Sequence, residues 1–215
     1  MKIKLIILAL FASLALPLSA KDDEFFEALL KSYDEFDHYT DNFDANLEFP
    51  PVPKKEKGEV KKYMKRLRED LEKKGYRVQT VRSDEVLLVT LPLGDLFLPN
   101  ETTLWQGRSS RKLDPLKPFF EDPNMFKILF IVNSDNTGSQ DYNLDLSEQR
   151  ADAFIAWIES FAHEDLVITD YAAGDQDPVE PNNTYTGRAA NRRVEFYFIP
   201  GPQLINLAHQ KKLPK

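Results

Sequence analysis

The chain has 215 residues, 42% hydrophobic and 12% aromatic, which suits one domain with a real core plus extensions. A formal charge of −7 and a pI near 5.1 argue against nucleic acid as the main partner. There is no cysteine, which excludes disulfides, thiolate metal sites and a cysteine nucleophile.

Residues 1–20 read as a secretory signal. Lys2 and Lys4 form a basic n-region, Leu5 to Leu16 an apolar core, and Leu18-Ser19-Ala20 a cleavage site. The apolar run is short for a membrane span and Pro17 breaks it. Residues 21–48 are acidic and aromatic. Phe25, Phe26, Leu29 and Leu30 have helical spacing, so one short amphipathic helix is expected there. The Pro- and Lys-rich run 49–58 reads as a linker. From Glu59 to Lys74, Val60, Met64, Leu67 and Leu71 make one apolar stripe, and Gly75 sits where a left-handed C-terminal cap belongs. Tyr76–Arg82 and Glu85–Leu91 read as two strands joined by a turn at Ser83-Asp84. Residues 59–84 therefore lead into a domain over 85–200, and a basic tail, 201–215, follows it.

Leu96 and Phe97 lead to a turn at Pro99-Asn100, and a loop with Arg108, Arg111 and Lys112 comes next. Leu113, Leu116 and Phe119-Phe120 suggest a helix limited by Pro118. KILFIV, Lys127 to Val132, is a continuous apolar run and should be a buried central strand. The strongest helix pattern is Ser147 to Ala162, with Ser147 as N-cap and Arg150 on the first turn. Leu166–Tyr171 reads as a strand. Val194, Phe196 and Phe198 alternate with Glu195 and Tyr197 as a final half-buried strand. Pro200-Gly201-Pro202 ends the domain, and the tail from His209 should fray.

Chemistry concentrates between Asn133 and Arg193. Asp135, Thr137 and Gly138 follow the KILFIV strand, a common place for ligand groups in open α/β sheets. Arg150 can fork onto a carboxylate, and Asp135 can hold an ammonium beside it. Alternation puts Arg192 on the face of Val194 and Phe196, and Arg193 on the other with Glu195. Together Asp135, Arg150 and Arg192 suit a zwitterionic ligand. Simple salt bridging of Asp135 and Arg150 with each other or with neighbours is an equal alternative on these grounds. The run from Asn133 imitates the start of a calcium loop, but its twelfth position is Leu144, where a bidentate Glu is needed. The three histidines lack metal-ligand spacing, and no nucleophile motif, P-loop or dinucleotide fingerprint occurs. Neither metal nor cofactor is expected, and the expected mechanism is recognition, not catalysis.

Two ordered motifs, SDNTGSQDYNLDLSEQRA and NNTYTGRAANRRVE, resemble those of the OmpA-like peptidoglycan-binding domain. The resemblance covers about Glu85 to Ile199. It implies an α/β fold of the α+β sandwich kind, a β-α-β-α-β-β mixed sheet with helices packed on one face. It also implies non-covalent binding of the peptidoglycan stem peptide, commonly its diaminopimelate residue. By position, Asp135 matches the family's acid for the diaminopimelate ammonium, and Arg150 its partner for the carboxylate. Asn143, Thr137, Arg192 and Asn100, the last in the loop after a Leu-Phe strand, match supporting positions. The chain departs from the family at Leu98, where an acid is usual, at Val132-Asn133-Ser134, where Gly-His-Thr is frequent, and in the loop Trp105–Lys112. A periplasmic or outer-membrane-associated protein is implied, with an outer-membrane protein as candidate partner of the N-terminal region. The competing expectation is a structural protein of an outer-membrane assembly whose domain has lost wall binding.

Overall fold

The computed structural model describes residues 20–38, 40 and 42–214, so the signal expected over 1–20 lies outside the described residues save for its last position. Five strands form one mixed sheet: β1 (Arg77–Val81), β2 (Val86–Pro92), β3 (Phe126–Asn133), β4 (Ile168–Gly174) and β5 (Arg193–Pro200), in the order β1-β2-β5-β3-β4. Only β3 and β4 run parallel; the other neighbours are antiparallel. The β1–β2 turn occupies the expected residues, with Arg82, Ser83 and Asp84 all at positive φ. From β2 onward, α4 (Ser109–Leu113), α5 (Gln140–Glu159) and α6 (Tyr185–Asn191) separate the strands, which gives the β-α-β-α-β-β order once the short α6 is set aside.

The principal core lies on one face of the sheet. Alternate residues Leu87, Val89, Leu91, Ile128, Phe130, Val132, Val194, Phe196 and Phe198 meet Ala151, Phe154 and Ile158 of α5. Phe154 packs edge-on against Phe97, Phe130 and Phe196, and Phe120 does so against Phe196, Phe198 and Trp157. The helix α3 (Lys57–Lys73) adds Val60, Met64 and Leu71 to this core, and Gly75 follows it at φ 84° as the stripe and cap predicted.

Four features differ from the sequence expectation. The strand β5 is buried on both faces, not half-buried. Its second face, with Leu88, Leu129 and Ile199, is covered by Phe43 and Leu47 of α2 (Phe43–Glu48). The stretch 49–58 packs inward: Val52 and Glu56 are buried. Residues past Pro200 continue as α7 (Pro202–His209), which brings Leu204 and Ile205 into the core, and Arg66 donates to the Pro214 carbonyl at 2.8 Å. The acidic region holds a longer helix than expected, α1 (Ala20–Glu35), whose Phe25 stacks on His209 of α7 at 4.1 Å. The segments α2 and α7 cover apolar surface of the sheet and the core, and α1 packs in turn on α7.

Lys127 ties the N-terminal segment to the second face. It is fully buried, and its Nζ donates to the Asn46 carbonyl at 2.9 Å, Asn46 Oδ1 at 3.1 Å and the Phe49 carbonyl at 3.5 Å. The Phe36 ring lies 4.7 Å away. Burial pushes the ammonium down to about 7, and the charge of Arg82 adds to the effect. Between that value and the ordinary lysine range the unfolded chain carries a proton that the folded chain has lost, so stability rises with pH across this window; below about 7 both forms are protonated and the gain is absent. Urea unfolding at pH 6.5 and 9.5 should show wild type gaining on the order of 1–3 kcal/mol more than Lys127→Met. Equal pH slopes for the two proteins would contradict the desolvated lysine.

The helix α6 and the loop before it are set by two residues of the second motif. Asn191 is fully buried; its Oδ1 accepts from Val179 N and Glu180 N, and its Nδ2 donates to the Glu180 carbonyl and Asn182 Oδ1. A Cβ at Gly187 would stand 2.0 Å from the Pro181 carbonyl oxygen. Gly187→Ala should therefore cost about 2–3 kcal/mol by overpacking. Gly58→Ala, in α3 with no atom within 4 Å, should be neutral or gain up to about 1 kcal/mol. Denaturant midpoints of the two variants check the pair.

Candidate functional site

The loop after β3 is aimed by an irregularity in the sheet. Val132 pairs with Ala172, but Asn133 pairs with Gly174, so the register shifts by one residue at the end of β3. Ser134 N then donates to the Gly174 carbonyl at 2.6 Å, and Asp135 turns under the sheet edge with only 4% of its surface exposed. Gly174 stands at φ 52°, and a Cβ there would meet the α5 backbone at Leu144 within 3.2 Å. This close approach brings β4 against the start of α5.

That start is two turns earlier than expected. The N-cap of α5 is Ser139, extended at φ −81° and ψ 157°, whose side chain accepts from Tyr142 N. Gly138 at φ 104° makes the reversal before it. Ser147 is no cap; its hydroxyl donates to the Asn143 carbonyl at 2.8 Å inside the helix. Arg150 consequently lies mid-helix, beyond the first-turn amides, so its charge acts through its own side chain and not with the helix terminus. Moving the start back adds Tyr142, Asn143 and Leu146 to the helix face that Arg150 shares.

Leu96 and Phe97 form no strand. They follow a 3-10 turn, Leu93–Asp95, and both are buried. Leu93 N donates to the Arg192 carbonyl at 2.9 Å, which locks this turn to the end of α6. Asn100 takes φ 61°, and Glu101 N closes the turn onto the Leu98 carbonyl at 3.0 Å.

These three walls enclose one cavity of about 560 Å³, and Asp135, Arg150, Asn143, Thr137, Asn100 and Arg192 all line it. Arg150 is held by Nε donating to the Glu101 carbonyl at 3.0 Å and by the Phe97 ring, 5.1 Å from its guanidinium carbon. Among the described residues no ion pair neutralises it. Burial lowers its pKa, the like charge of Arg192 adds to this, and Tyr142 opposes. Asp135 is ion-paired with Arg192, and its Oδ1 accepts from Thr137 N at 2.7 Å. Burial works against its charge, but Thr137 and Arg192 outweigh it and hold the carboxyl below its usual value. Asp135 and Arg150 do not pair with each other.

Two arginines and one aspartate leave this part of the cavity with one excess positive charge. The charge sits on Arg150, which suits a carboxylate. A carboxylate offers about four acceptor positions, so Asp135 can take an ammonium besides Thr137 and Arg192. Asn143 is 2% exposed, and its Nδ2 has no hydrogen-bond partner among the described residues. Such a group costs free energy unless something polar meets it. The other motif arginine is structural: Arg193 is buried and pairs with Glu195 at 2.8 Å and Asp177 at 3.0 Å. Sequence reasoning did not find Trp105, Arg108, Tyr142 and Tyr185, which also line the cavity. For Trp105 and Arg108 the one signal was the departure of the 105–112 loop from the family pattern; Tyr142 and Tyr185 carried none.

No family model matches the chain. It is 28% identical over 127 residues to the lipoprotein YiaD of Escherichia coli (strain K12), covering 59% of this chain and 58% of that protein. It is 36% identical over 105 residues to outer membrane protein A of Bordetella avium, covering 49% and 54%. The chain thus spans somewhat over half the length of the curated relatives it matches. Among solved structures, a MotB-like protein from Desulfovibrio vulgaris superposes with a TM-score of 0.57 at 22% identity, over 66% of this chain and 94% of that one. The cell wall anchor of the T6SS from Pseudomonas aeruginosa gives 0.50 at 22%, over 66% and 96%. Both likenesses concern the fold. With the two motifs, the bulge-aimed aspartate and helix-borne arginine in one cavity, and these relatives in sequence, the chain resembles the OmpA-like domain family.

Proposed function

We propose that the domain binds peptidoglycan non-covalently, through the zwitterionic end of a diaminopimelate residue in the stem peptide. Asp135 takes the ammonium and Arg150 the carboxylate. Asn143 Nδ2 donates a further hydrogen bond, Thr137 and Arg192 keep Asp135 ionised and oriented, and Asn100 shapes the rim. The observation that carries this reading is a buried arginine without a counter-ion among the described residues, in the same cavity as a buried, ionised aspartate. Relatives named for the outer membrane and a fold neighbour named as a cell wall anchor support the same reading. The role is recognition without bond cleavage, in the cell envelope, and the protein works in the periplasm or against the outer membrane.

A lysine-containing stem offers an ammonium but no carboxylate at that end, so Arg150 would lose its partner. Charge-assisted hydrogen bonds of this kind contribute about 1.5–3 kcal/mol each, or roughly ten- to a hundredfold in affinity. Sedimentation with purified diaminopimelate-type sacculi should deplete wild type from solution. Asp135→Ala and Arg150→Ala should each weaken this by at least about tenfold. Lysine-type sacculi should behave towards wild type as the Arg150 variant does. Retention of both variants on the wall would instead favour a domain that serves as a structural element, with the Asp135–Arg192 pair as part of its scaffold.

A further inference from the structure

Six large apolar side chains are notably exposed among the described residues, and four of them, Leu98, Trp105, Tyr142 and Tyr185, line this one cavity. Tyr185 is 75% exposed. Soluble proteins seldom gather exposed apolar groups without a partner for them. The cavity is also larger than the proposed head group requires. An ammonium, a carboxylate and the carbon between them amount to about five heavy atoms, on the order of 100–150 Å³ at one water volume each. The space beyond Asp135 and Arg150 has the size of a pocket for a longer ligand.

Its chemistry is set by Trp105 and Arg108. Trp105 is fixed: its N donates to the Leu96 carbonyl at 2.8 Å, and its carbonyl accepts from Ser109 N at 2.9 Å and Ser109 Oγ at 2.9 Å. The Arg108 guanidinium lies over the Trp105 ring at 4.8 Å, with Nη2 donating to Asp95 Oδ1 at 2.9 Å. One indole face is therefore covered by a flat cation that keeps unused N–H donors. A sugar ring seeks a bare aromatic face. A plate of this kind instead matches the planes of peptide amides and carboxylates.

We propose that Leu98, Trp105, Arg108 and Tyr185 form a second subsite that holds the γ-glutamyl peptide preceding the zwitterionic residue, with Arg108 on its free carboxylate. The inference rests on the proposed stem-peptide reading and deepens it: the cavity selects a stem peptide over an isolated diamino acid. Arg108 is the specificity-determining side chain, and Trp105 positions it.

Isothermal titration with two soluble probes tests this. One is free meso-diaminopimelate and the other is the tripeptide L-Ala-γ-D-Glu-meso-diaminopimelate. Wild type should bind the tripeptide at least tenfold more tightly. Arg108→Gln and Trp105→Ala should reduce that preference to about threefold or less while leaving the affinity for free diaminopimelate unchanged. That second reading also shows that the variants are folded. Arg150→Ala should lose both probes. The subsite is overturned if the preference survives both variants, if they weaken both probes equally, or if the wall disaccharide displaces the tripeptide in a Trp105-dependent way. In those cases the diaminopimelate reading stands so long as Arg150→Ala still abolishes binding. If wild type binds neither probe, both readings fall.

Discussion

A guanidinium that is 5% exposed and has no ion-pair partner among the described residues must be compensated by its surroundings, and the site is built around Arg150 in that condition. One nitrogen is satisfied by the Glu101 carbonyl, and one face rests on Phe97. The side chain lines the cavity. The three walls depend on this geometry. The 98–101 turn must hold its carbonyl in place, so Asn100 accepts a positive φ. The α5 helix must begin early enough to bring Asn143 and Arg150 onto one face, so Gly138 and Ser139 turn and cap it. The β3 strand must deliver Asp135 at the opposite side, and the shifted register with β4 does so. Neutralising Arg150 by an internal carboxylate would be cheaper for folding, and the chain instead gives Asp135 to Arg192.

The second face of the sheet answers a different constraint. A five-stranded sheet with one helical layer leaves its other face to water or to a cover. Here the cover is the chain's own segment around Thr40–Phe49, held by Lys127, by Arg82 donating to the Leu47 carbonyl at 2.9 Å, and by Asn46 donating to Thr40 and Tyr171. Phe43 stands edge-on to Tyr171 and Tyr197. A desolvated lysine is a costly fastening, but its three acceptors satisfy the three donors of an ammonium. Lys127 lies near the start of β3 and Asp135 follows its end, so the fastening and the cavity stand at opposite ends of one strand.

Much of this was legible in the sequence. The continuous apolar run KILFIV, the α3 stripe with Gly75 and the alternation of Val194, Phe196 and Phe198 each carried a pattern long enough to fix an element. Asp135, Arg150 and Arg192 are candidates from their chemistry and chain position, Asn143, Thr137 and Asn100 from the family resemblance, and the fold brings all six to one cavity. What could not be read was of another kind. Ser139 and Ser147 are both acceptable caps, and only the tertiary approach of Gly174 to Leu144 decides between them. Lys127 reads only as the first residue of the buried KILFIV strand, and its acceptors at Asn46 and Phe49, 81 and 78 positions away, leave no local trace. The pairing of Asp135 with Arg192 spans 57 positions and leaves no local trace. Asn191 and Gly187 stand in the second motif without an assigned role, and the fold shows that they shape the loop at Val179–Asn182.

The central claim is that one cavity presents Arg150 and Asn143 to a carboxylate while Asp135 meets an ammonium. Side-chain NMR reads it directly. On titration with diaminopimelate, the Asn143 Nδ2 and Arg150 Nε signals should move together with a single saturation curve, and the Lys127 and Arg193 signals should stay fixed. Saturable binding that leaves Asn143 and Arg150 unmoved would contradict the account.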